Sequence, residues 1–301
     1  MTSIGFIGIG NMGLPMVGNL LKAGYRVEAY DVRPEAVETA VKRGAVVGGS
    51  AAETAGRVQV VITMLPNSPH VEAAYLGPKG VLEGGRPGLT CVDMSTIDPA
   101  TTRRVGERLA AAGVRMLDAP VSGAVPRAIE GTLTIMVGGD ADLFAAVRPI
   151  LNAMGANVIH VGPLGSGEVA KICNNLIAGV AAVAVSEAFR IAEGFGVDPK
   201  VLTDVISKSS GNTWVMQQAH PVPGLVERAA SSRDYAPGFM TDLMAKDLGL
   251  AVNAARELRV PAVVAAAAQQ VLRLASSHGL GRKDFTAVYT FLKPSSDQAP
   301  V

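Results

Sequence analysis

The sequence predicts an α/β domain in its first half, a long connecting helix, and an all-α domain at its carboxyl end. Short apolar, β-rich runs alternate with helical patterns up to about residue 162. Beyond residue 167 the composition is helical, with alanine-rich windows such as PAVVAAAAQQVLRLA, and strand-like runs are absent. We therefore expect two domains, residues 1–162 and 163–301, joined through the glycine-rich turn GPLGSG.

The predicted strands of the first domain are nearly continuous apolar runs, which are typical of parallel strands covered by helices on both faces. Helical patterns at 12–23 and 34–42 separate the early ones. The predicted strands are IGFIGI (4–9), RVEAYD (26–31), VQVVITML (58–65), LTCVDMS (89–95), RMLDAPV (115–121), LTIMVGGD (133–140) and NVIHVG (157–162).

The connecting segment predicts one long helix over 167–194 that is apolar nearly all round. A helix of this kind is buried, so we expect it to lie between domains or between subunits of a homodimer or homotetramer. Its longest apolar run, LIAGVAAVAV, is about half the length of a membrane span. We therefore expect no membrane partner.

Composition and charge exclude several classes of function. The chain has 301 residues, 49% of them hydrophobic, and its 27 Lys+Arg nearly cancel its 26 Asp+Glu. This balance gives no excess of positive charge of the kind that nucleic-acid-binding proteins carry. Cys91 and Cys173 are far apart in apolar settings, so we expect reduced core thiols. The four histidines lack ligand spacing, which predicts no metal site, and the absence of a secretory signal favours a cytoplasmic protein.

The first apolar run leads into the glycine pattern GFIGIGNMGLPM. Gly8, Gly10 and Gly13 follow a predicted strand and open a predicted helix, and the next strand ends at Asp31. This combination is the dinucleotide-binding fingerprint of a Rossmann-type domain. Gly8 permits the tight turn, Gly10 lets the backbone approach the pyrophosphate, and Gly13 permits close helix–strand packing. The phosphates would lie at the helix N-terminus, which favours anions.

Asp31 also predicts which nicotinamide cofactor is bound. A carboxylate at this position accepts hydrogen bonds from the ribose hydroxyls and repels a 2′-phosphate, which favours NAD over NADP. Arg33 stands two residues further on and could pair with that phosphate. We prefer the interpretation that Arg33 is a solvated side chain lying over the adenine.

Three later segments carry polar groups in apolar surroundings. DAPVSGA (118–124) follows a strand and offers a hydroxyl and N–H groups to a carboxylate. GSGEVAKICNN (165–175) places a lysine and an asparagine four residues apart on one helix face. GFMTDLMAKDLGLA (238–251) interrupts an apolar stripe with Lys246 and Asp247. Alone, each pattern is weak, because Ser-Gly turns, lysines that reach solvent and amphipathic helices are all common.

Together these segments resemble the 3-hydroxyisobutyrate dehydrogenases of the β-hydroxyacid dehydrogenase family. The resemblance covers nearly the whole chain and includes several motifs that a generic dinucleotide-binding domain does not need. These motifs are TMLP (63–66), STIDPA (95–100), DAPVSG, GTLTIMVGG (131–139), AKICNN (170–175), SSGNTW (209–214), PVPG (221–224) and LMAKDLGLA (243–251).

The resemblance implies oxidation of a small 3-hydroxy acid to its semialdehyde, as in valine catabolism. Lys171 matches the family's catalytic lysine, which requires a pKa below the ordinary value of about 10.4. The implied substrate-binding residues are Ser122, Gly123, Asn175, Lys246 and Asp247. The implied cofactor-binding residues are Gly8, Gly10, Asn11, Met12, Gly13, Asp31, Leu65, Pro66, Thr96 and Lys246.

This chain departs from the family pattern at four positions. Ala124 stands where a second glycine is frequent, and Arg127 adds a cation beside the same loop. His70 and His220 stand where asparagine is frequent. These departures concern the identity of the acid more than the type of reaction, because Lys171 is retained.

The alternatives lie within and outside this enzyme class. A relative could act on serine, tartronate semialdehyde or another small 3-hydroxy acid. Imine reductases share the architecture but generally lack the lysine, and 6-phosphogluconate dehydrogenases have a much larger carboxyl-terminal domain. A non-catalytic NAD-binding module would bind cofactor without turnover. The pair Lys171 and Asn175 argues against that last alternative.

Overall fold

The computed structural model describes residues 2–293. Nine strands form one sheet. Their bounds are β1 Ser3–Ile7, β2 Arg26–Tyr30, β3 Val46–Val47, β4 Val60–Thr63, β5 Thr90–Asp93, β6 Arg115–Asp118, β7 Val121–Ser122, β8 Leu133–Gly138 and β9 Gly155–Gly162. The seven strands predicted from sequence are all present, with ends that differ by a few residues. Two short strands, β3 and β7, were missed because two residues are too few to show an alternating pattern.

Helices follow most strands of this sheet. Those of the first half are α1 Gly13–Lys22, α2 Pro34–Val41, α3 Ala51–Arg57, α4 Ser68–Leu76, α5 Val81–Gly84, α6 Pro99–Ala110, α7 Ala124–Glu130 and α8 Ala141–Leu151. Several begin at side chains suited to capping a helix: Ser50, Asn67, Asp98 and Asp140 each accept a hydrogen bond from the first turn that follows.

The sheet has the strand order β3-β2-β1-β4-β5-β6-β8-β7, and β9 pairs with β8. The strands from β3 to β6 are parallel, with Ile4 of β1 opposite both Val27 and Val60. β8 is antiparallel to β6 and β7. The chain leaves β1 on one side to form β2 and returns on the other to form β4. Ligands of open α/β sheets bind at such a reversal of strand order.

Side chains alternate between the two faces of the sheet, and both faces are buried. Phe6, Ile62 and Leu117 belong to the core on one face, packed with α1 and α8. Ile7, Val61 and Cys91 belong to the core on the other face, packed with α4 and α6. Burial on both faces explains why the strands read as continuous apolar runs.

The chain divides into two compact units, residues 1–171 and 172–301. The second unit is helical, and an isolated bridge between Met240 and Asp284 is the one β pairing among its described residues. The helices that complete the chain are α9 Ser166–Gly194, α10 Pro199–Ser207, α11 Trp214–Gln218, α12 Thr241–Glu257, α13 Val263–Ala275 and α14 Val288–Phe291, with short 3-10 turns at Ala230–Arg233 and Phe285–Ala287.

The long helix α9 matches the predicted span, but it is not buried all round. Phe189 and Ala182 are buried, whereas Ile177 is 69% exposed and Ile191 63% exposed. Cys173 on this helix is also exposed, so the expectation of two core thiols holds only for Cys91. An apolar sequence does not reveal which face of a helix its own chain covers, and the expected burial between subunits stays a prediction. By length and composition α9 could cross a membrane, a test that core helices of water-soluble proteins also pass.

Candidate functional site

The glycine loop lies at the reversal of strand order, between β1 and α1. A Cβ atom on Gly8 would lie 2.3 Å from the Met64 carbonyl oxygen, and one on Gly13 would lie 2.0 Å from the Gly8 carbonyl oxygen. The packing of the loop therefore requires both glycines. A Cβ on Gly10 would meet only the Arg33 guanidinium, 3.9 Å away.

This loop leaves space and N–H groups for an anion. Gly10 faces open space, so a ligand can approach its backbone closely. Met12 precedes α1 without a side-chain cap, and Asn11 beside it is exposed. A helix N-terminus without a capping side chain keeps N–H groups available to bind phosphate. The loop therefore fits the pyrophosphate of a dinucleotide.

Asp31 follows β2 and closes the same loop. Its Oδ2 accepts a hydrogen bond from the Ile9 N–H at 2.7 Å, and its Oδ1 accepts from the Arg33 N–H at 2.9 Å and from Arg33 Nε at 3.1 Å. Burial alone would raise the pKa of Asp31, but the hydrogen bonds from Arg33 and Ile9 outweigh it and lower that pKa. The Arg33 side chain is thus paired with Asp31 while 54% of its surface stays exposed, and its placement over the adenine stays a prediction.

The segments after β4 and β5 adjoin the glycine loop from the other side of the reversal. The Leu65 N–H donates to Ser95 Oγ at 2.9 Å, which joins the Leu65–Pro66 segment to the Ser95–Thr96 segment. The Leu65 side chain also lies close to Gly8, since a Cβ added to Gly8 would be 2.9 Å from Leu65 Cδ2. The predicted cofactor contacts Gly8, Leu65, Pro66 and Thr96 are therefore brought together at the carboxyl ends of β1, β4 and β5.

Lys171 lies in the first turns of α9 and is buried. Two carboxylates anchor the start of this helix. Asp118, at the end of β6, accepts hydrogen bonds from the N–H groups of Gly165 at 2.7 Å and Glu168 at 2.8 Å. Glu168 Oε2 accepts from the Ile97 N–H at 3.1 Å. The helix that carries Lys171 is thus tied to β6 and to the residue that follows Thr96.

Asp118 and Glu168 were not identified as site residues from the sequence. Both are completely buried. Burial raises the pKa of Asp118, and its backbone hydrogen bonds partly oppose that rise. A signal was available: Asp118 ends an apolar strand and Glu168 precedes Lys171 in an apolar helix. Charged side chains are rarely buried without a specific partner.

The Ser122–Gly123 loop connects β7 to α7. Ser122 pairs with Thr134 of β8, and Gly123 has a φ of 134°. Ala124 follows in the left-handed region, with a φ of 55°. The stem of Arg127 lies over Gly123, where an added Cβ would approach the Arg127 Cβ and Cδ atoms to 2.7 Å. The two departures from the family pattern, Ala124 and Arg127, therefore both shape this loop.

In the second unit Asn175, Asp247 and Lys246 form one polar cluster. Asn175 Nδ2 donates to Asp247 Oδ2 at 2.5 Å, and Lys246 Nζ lies 3.1 Å from Asp247 Oδ1. Asn175 and Asp247 are buried. The carboxylate of Asp247 therefore holds both neighbouring side chains, which sequence spacing alone did not reveal.

The two remaining departures are His70 on α4 and His220 in the helical unit. His70 is exposed at the start of α4, with Nδ1 2.5 Å from Asn67 Oδ1. His220 is completely buried in the helical unit. Within residues 2–293 no group of three or more potential metal ligands is arranged to hold an ion.

Two family models match the chain. The NAD-binding domain of 6-phosphogluconate dehydrogenase matches residues 3–162. A domain described as the NAD-binding domain of NADP-dependent 3-hydroxyisobutyrate dehydrogenase matches residues 165–292. A 3-hydroxyisobutyrate dehydrogenase of Pseudomonas aeruginosa is 46% identical over 276 residues, covering 91% of this chain and 92% of that protein.

The chain belongs to the 3-hydroxyisobutyrate dehydrogenase family. Within this family it is also similar to an NAD-dependent L-serine dehydrogenase of Pseudomonas aeruginosa, with 42% identity over 99% of this chain and 100% of that protein. The structure of Mycobacterium tuberculosis 3-hydroxyisobutyrate dehydrogenase with L-serine superposes with a TM-score of 0.93, at 40% identity over 98% of this chain and 100% of that one. As a member of the family, the chain is a dehydrogenase that uses a nicotinamide cofactor.

Proposed function

We propose that this dehydrogenase interconverts a small 3-hydroxy acid, with 3-hydroxyisobutyrate as the best candidate, and its semialdehyde, with NAD as cofactor. The observation that carries the proposal is the buried Lys171 in a helix whose first turn is fixed to the sheet by Asp118 and Glu168. L-Serine is the second candidate, because a relative that matches the full chain is named for it.

The residues of this chain have separate tasks in the proposed reaction. The bound nicotinamide supplies hydride acceptance and donation. Lys171 takes the proton of the substrate hydroxyl during oxidation and returns it in the reverse direction. Ser122 and Gly123 bind the substrate carboxylate through a hydroxyl and backbone N–H groups. Asn175 binds a hydroxyl or carboxylate without adding charge, and Asp247 orients its amide.

Lys171→Ala tests the proton-transfer role. We expect kcat to fall by roughly 10²–10⁴-fold, the usual contribution of a positioned acid or base. Lys171→Arg should not restore turnover, because a guanidinium with a pKa above about 12 cannot act as the base. Lys22→Ala, an exposed lysine of the same unit, is the control. A folded Lys171→Ala protein with near-native kcat would refute the assignment.

A substrate panel tests the chemical class. It contains 3-hydroxyisobutyrate, L-serine, and the matching alcohols that lack the carboxylate. Loss of a buried hydrogen-bonding partner costs about 1–3 kcal/mol per group, so kcat/KM should fall at least tenfold for each alcohol. Equal turnover of alcohols and acids would contradict the carboxylate-binding role of Ser122 and Gly123.

Asp31 supports NAD over NADP, and its substitution tests this preference. In Asp31→Ser the repulsive carboxylate is gone and Arg33 loses its partner, so kcat/KM with NADP should rise by tenfold or more. The measurement is the ratio of kcat/KM for the two cofactors in the native protein and the variant. Native preference for NADP would overturn the proposal.

We also propose that the chain forms a homodimer or homotetramer. The exposed apolar residues Ile177 and Ile191 along α9 support this, because monomers rarely expose large apolar patches. The mass measured by sedimentation at several protein concentrations distinguishes the two assemblies from a monomer.

A further inference from the structure

A buried polar cluster lies directly beneath the cofactor-facing segments of the first unit. It consists of Thr63, Tyr75, Asp93 and Ser95, all of which are completely buried. Thr63 and Asp93 end the adjacent parallel strands β4 and β5, where they are register partners. None of these four residues belongs to the proton-transfer or substrate-binding groups described above.

The hydrogen bonds of this cluster have a defined direction. Asp93 Oδ1 accepts from Thr63 Oγ1 at 2.7 Å, from Ser95 Oγ at 2.5 Å and from the Ser95 N–H at 3.2 Å. Because the Thr63 hydroxyl donates to Asp93, it accepts from the Tyr75 hydroxyl, 3.0 Å away. Because the Ser95 hydroxyl donates to Asp93, its lone pairs are turned to the Leu65 N–H at 2.9 Å.

The last of these bonds reaches the cofactor loops. Leu65 follows β4 and packs against Gly8. A Cβ added to Gly8 would clash with the backbone of Met64. Ser95 is joined directly to Thr96. A single hydroxyl therefore fixes the distance between the segments after β4 and β5, and the glycine loop packs on one of them. Without Asp93, the Ser95 hydroxyl would be free to rotate and could donate elsewhere.

We propose that Asp93 is a positioning residue that acts through Ser95 to hold the Leu65–Pro66 and Ser95–Thr96 segments in the arrangement that binds the nicotinamide cofactor. The inference rests on the cofactor use proposed above but not on the identity of the acid. Asp93 touches neither substrate nor cofactor in this role, and it determines how well the site is formed before the cofactor arrives.

The protonation of Asp93 is linked to this arrangement. Burial raises the pKa of Asp93 to about 6, and the hydrogen bonds from Ser95 and Thr63 limit the rise. The Asp93 Oδ2 atom has no hydrogen-bond partner among the described residues, so this oxygen receives the proton. A protonated carboxyl accepts weaker hydrogen bonds from Ser95 and Thr63 than a carboxylate does. Cofactor affinity should therefore fall as the pH drops through 6.

Other titratable groups also face Asp93. Tyr75 faces it from α4, Cys91 from its own strand and Asp118 from β6. Burial raises the pKa of both Tyr75 and Cys91 further above neutrality, so both stay uncharged between pH 5 and pH 8. Asp118 is retained in every variant, where its carboxylate accepts hydrogen bonds from the N–H groups of Gly165 and Glu168.

The test is the dissociation constant of NAD, measured by direct binding without substrate. Ser95→Ala removes the bond to Leu65, and we expect Kd to rise about tenfold with kcat at saturating NAD changed less than threefold. In the protein without cofactor, the Leu65 amide should exchange its hydrogen about tenfold faster than in the native chain. A native Kd and native exchange at Leu65 in Ser95→Ala would overturn the proposal.

Asp93→Asn separates the charge from the shape. Asparagine keeps an acceptor oxygen but cannot ionise, so it imitates protonated Asp93. We expect its Kd at pH 7.5 to match the native Kd at pH 5, and the native Kd to rise about three- to tenfold over that interval while the variant lacks this change. The same pH dependence in both proteins would overturn the linkage between Asp93 and cofactor binding.

Asp284→Asn is the matched control. Asp284 is a buried carboxylate of the helical unit that accepts four hydrogen bonds, from the N–H groups of Gly238, Phe239 and Thr286 and from Thr286 Oγ1. This variant should lose stability and keep the native Kd for NAD and its pH dependence. An equal loss of NAD affinity in Asp284→Asn would show that the Asp93 effect is only general destabilisation. Because the Kd for NAD is measured without substrate, this test remains valid even if the proposed 3-hydroxy acid is not the substrate.

Discussion

At the scale of single residues, the loop after β7 contains a conformation that its sequence does not favour. Ala124 has a φ of 55°, a region in which glycine is at ease and an L side chain is crowded. The motif DAPVSGA predicted a hydroxyl and N–H groups for a carboxylate at this point, but residue types alone do not reveal a backbone angle. Strain of this kind is found at ligand-binding loops, where the surrounding structure maintains it.

Ala124→Gly should therefore stabilise the protein. Relief of the left-handed strain outweighs the added entropy of the unfolded chain, and we expect a gain of roughly 0.5–1 kcal/mol in the free energy of unfolding. Equilibrium urea denaturation measures it. Ala145→Gly, at an exposed position inside α8, is the control and should lose a similar amount. Loss of stability in Ala124→Gly would show that the alanine is not strained.

At the scale of elements, His220 connects a loop of the helical unit to two helices. Its Nδ1 accepts from the Val222 N–H at 3.1 Å, so the ring is neutral and its Nε2 donates to Thr203 of α10 at 3.2 Å. The ring also packs edge-on against Phe189 of α9, with 4.8 Å between centroids. The contacts of His220 therefore fix the loop that carries it to α9 and α10.

The neutral state of His220 predicts a pH dependence of stability. Burial lowers the pKa of His220 to about 4, below the unfolded value of about 6.5. The unfolded chain therefore binds a proton that the folded chain does not, and stability is full above pH 6.5 and falls as the pH drops toward 4. The loss approaches about 3 kcal/mol by linkage.

Denaturant unfolding at several pH values tests this dependence. In the native protein the free energy of unfolding should fall between pH 6.5 and pH 4, and His220→Gln should lack this fall. His278→Gln, which replaces an exposed histidine, should keep it. Asp93 contributes with the opposite sign, since its folded pKa is raised, but it is unchanged in both variants. An unaltered slope in His220→Gln would mean that another group causes the acid sensitivity.

At the scale of the whole molecule, the fold class was predictable because it depends on patterns that extend over many residues. The glycines, Asp31 and the apolar strands specify a doubly covered sheet with a dinucleotide loop, and the helical composition beyond residue 167 specifies the rest. The resemblance then indicated Lys171. Family membership and the fold are confirmed.

The supporting groups of the site could not be predicted in the same way. Asp93, Asp118 and Glu168 each accept a hydrogen bond from a partner that lies between 30 and 71 positions away along the chain. No local pattern indicates such a pair, because the partners meet only after parallel strands have formed. The exposure of Cys173 was missed for the same reason, since it depends on which face of α9 the rest of the chain covers.

The different surroundings of the two cysteines have a practical consequence. Cys173 is exposed and lies two residues after Lys171, whereas Cys91 is sealed within the sheet. In a single chain, a maleimide dye or a nitroxide label therefore has one accessible attachment point, Cys173, which lies one helical turn before Ile177 on the face of α9 that is proposed to pack in the oligomer. The labelling rate of Cys173 and the fluorescence or spin-resonance spectrum of the attached label would therefore report whether that face of α9 is covered in the assembled protein.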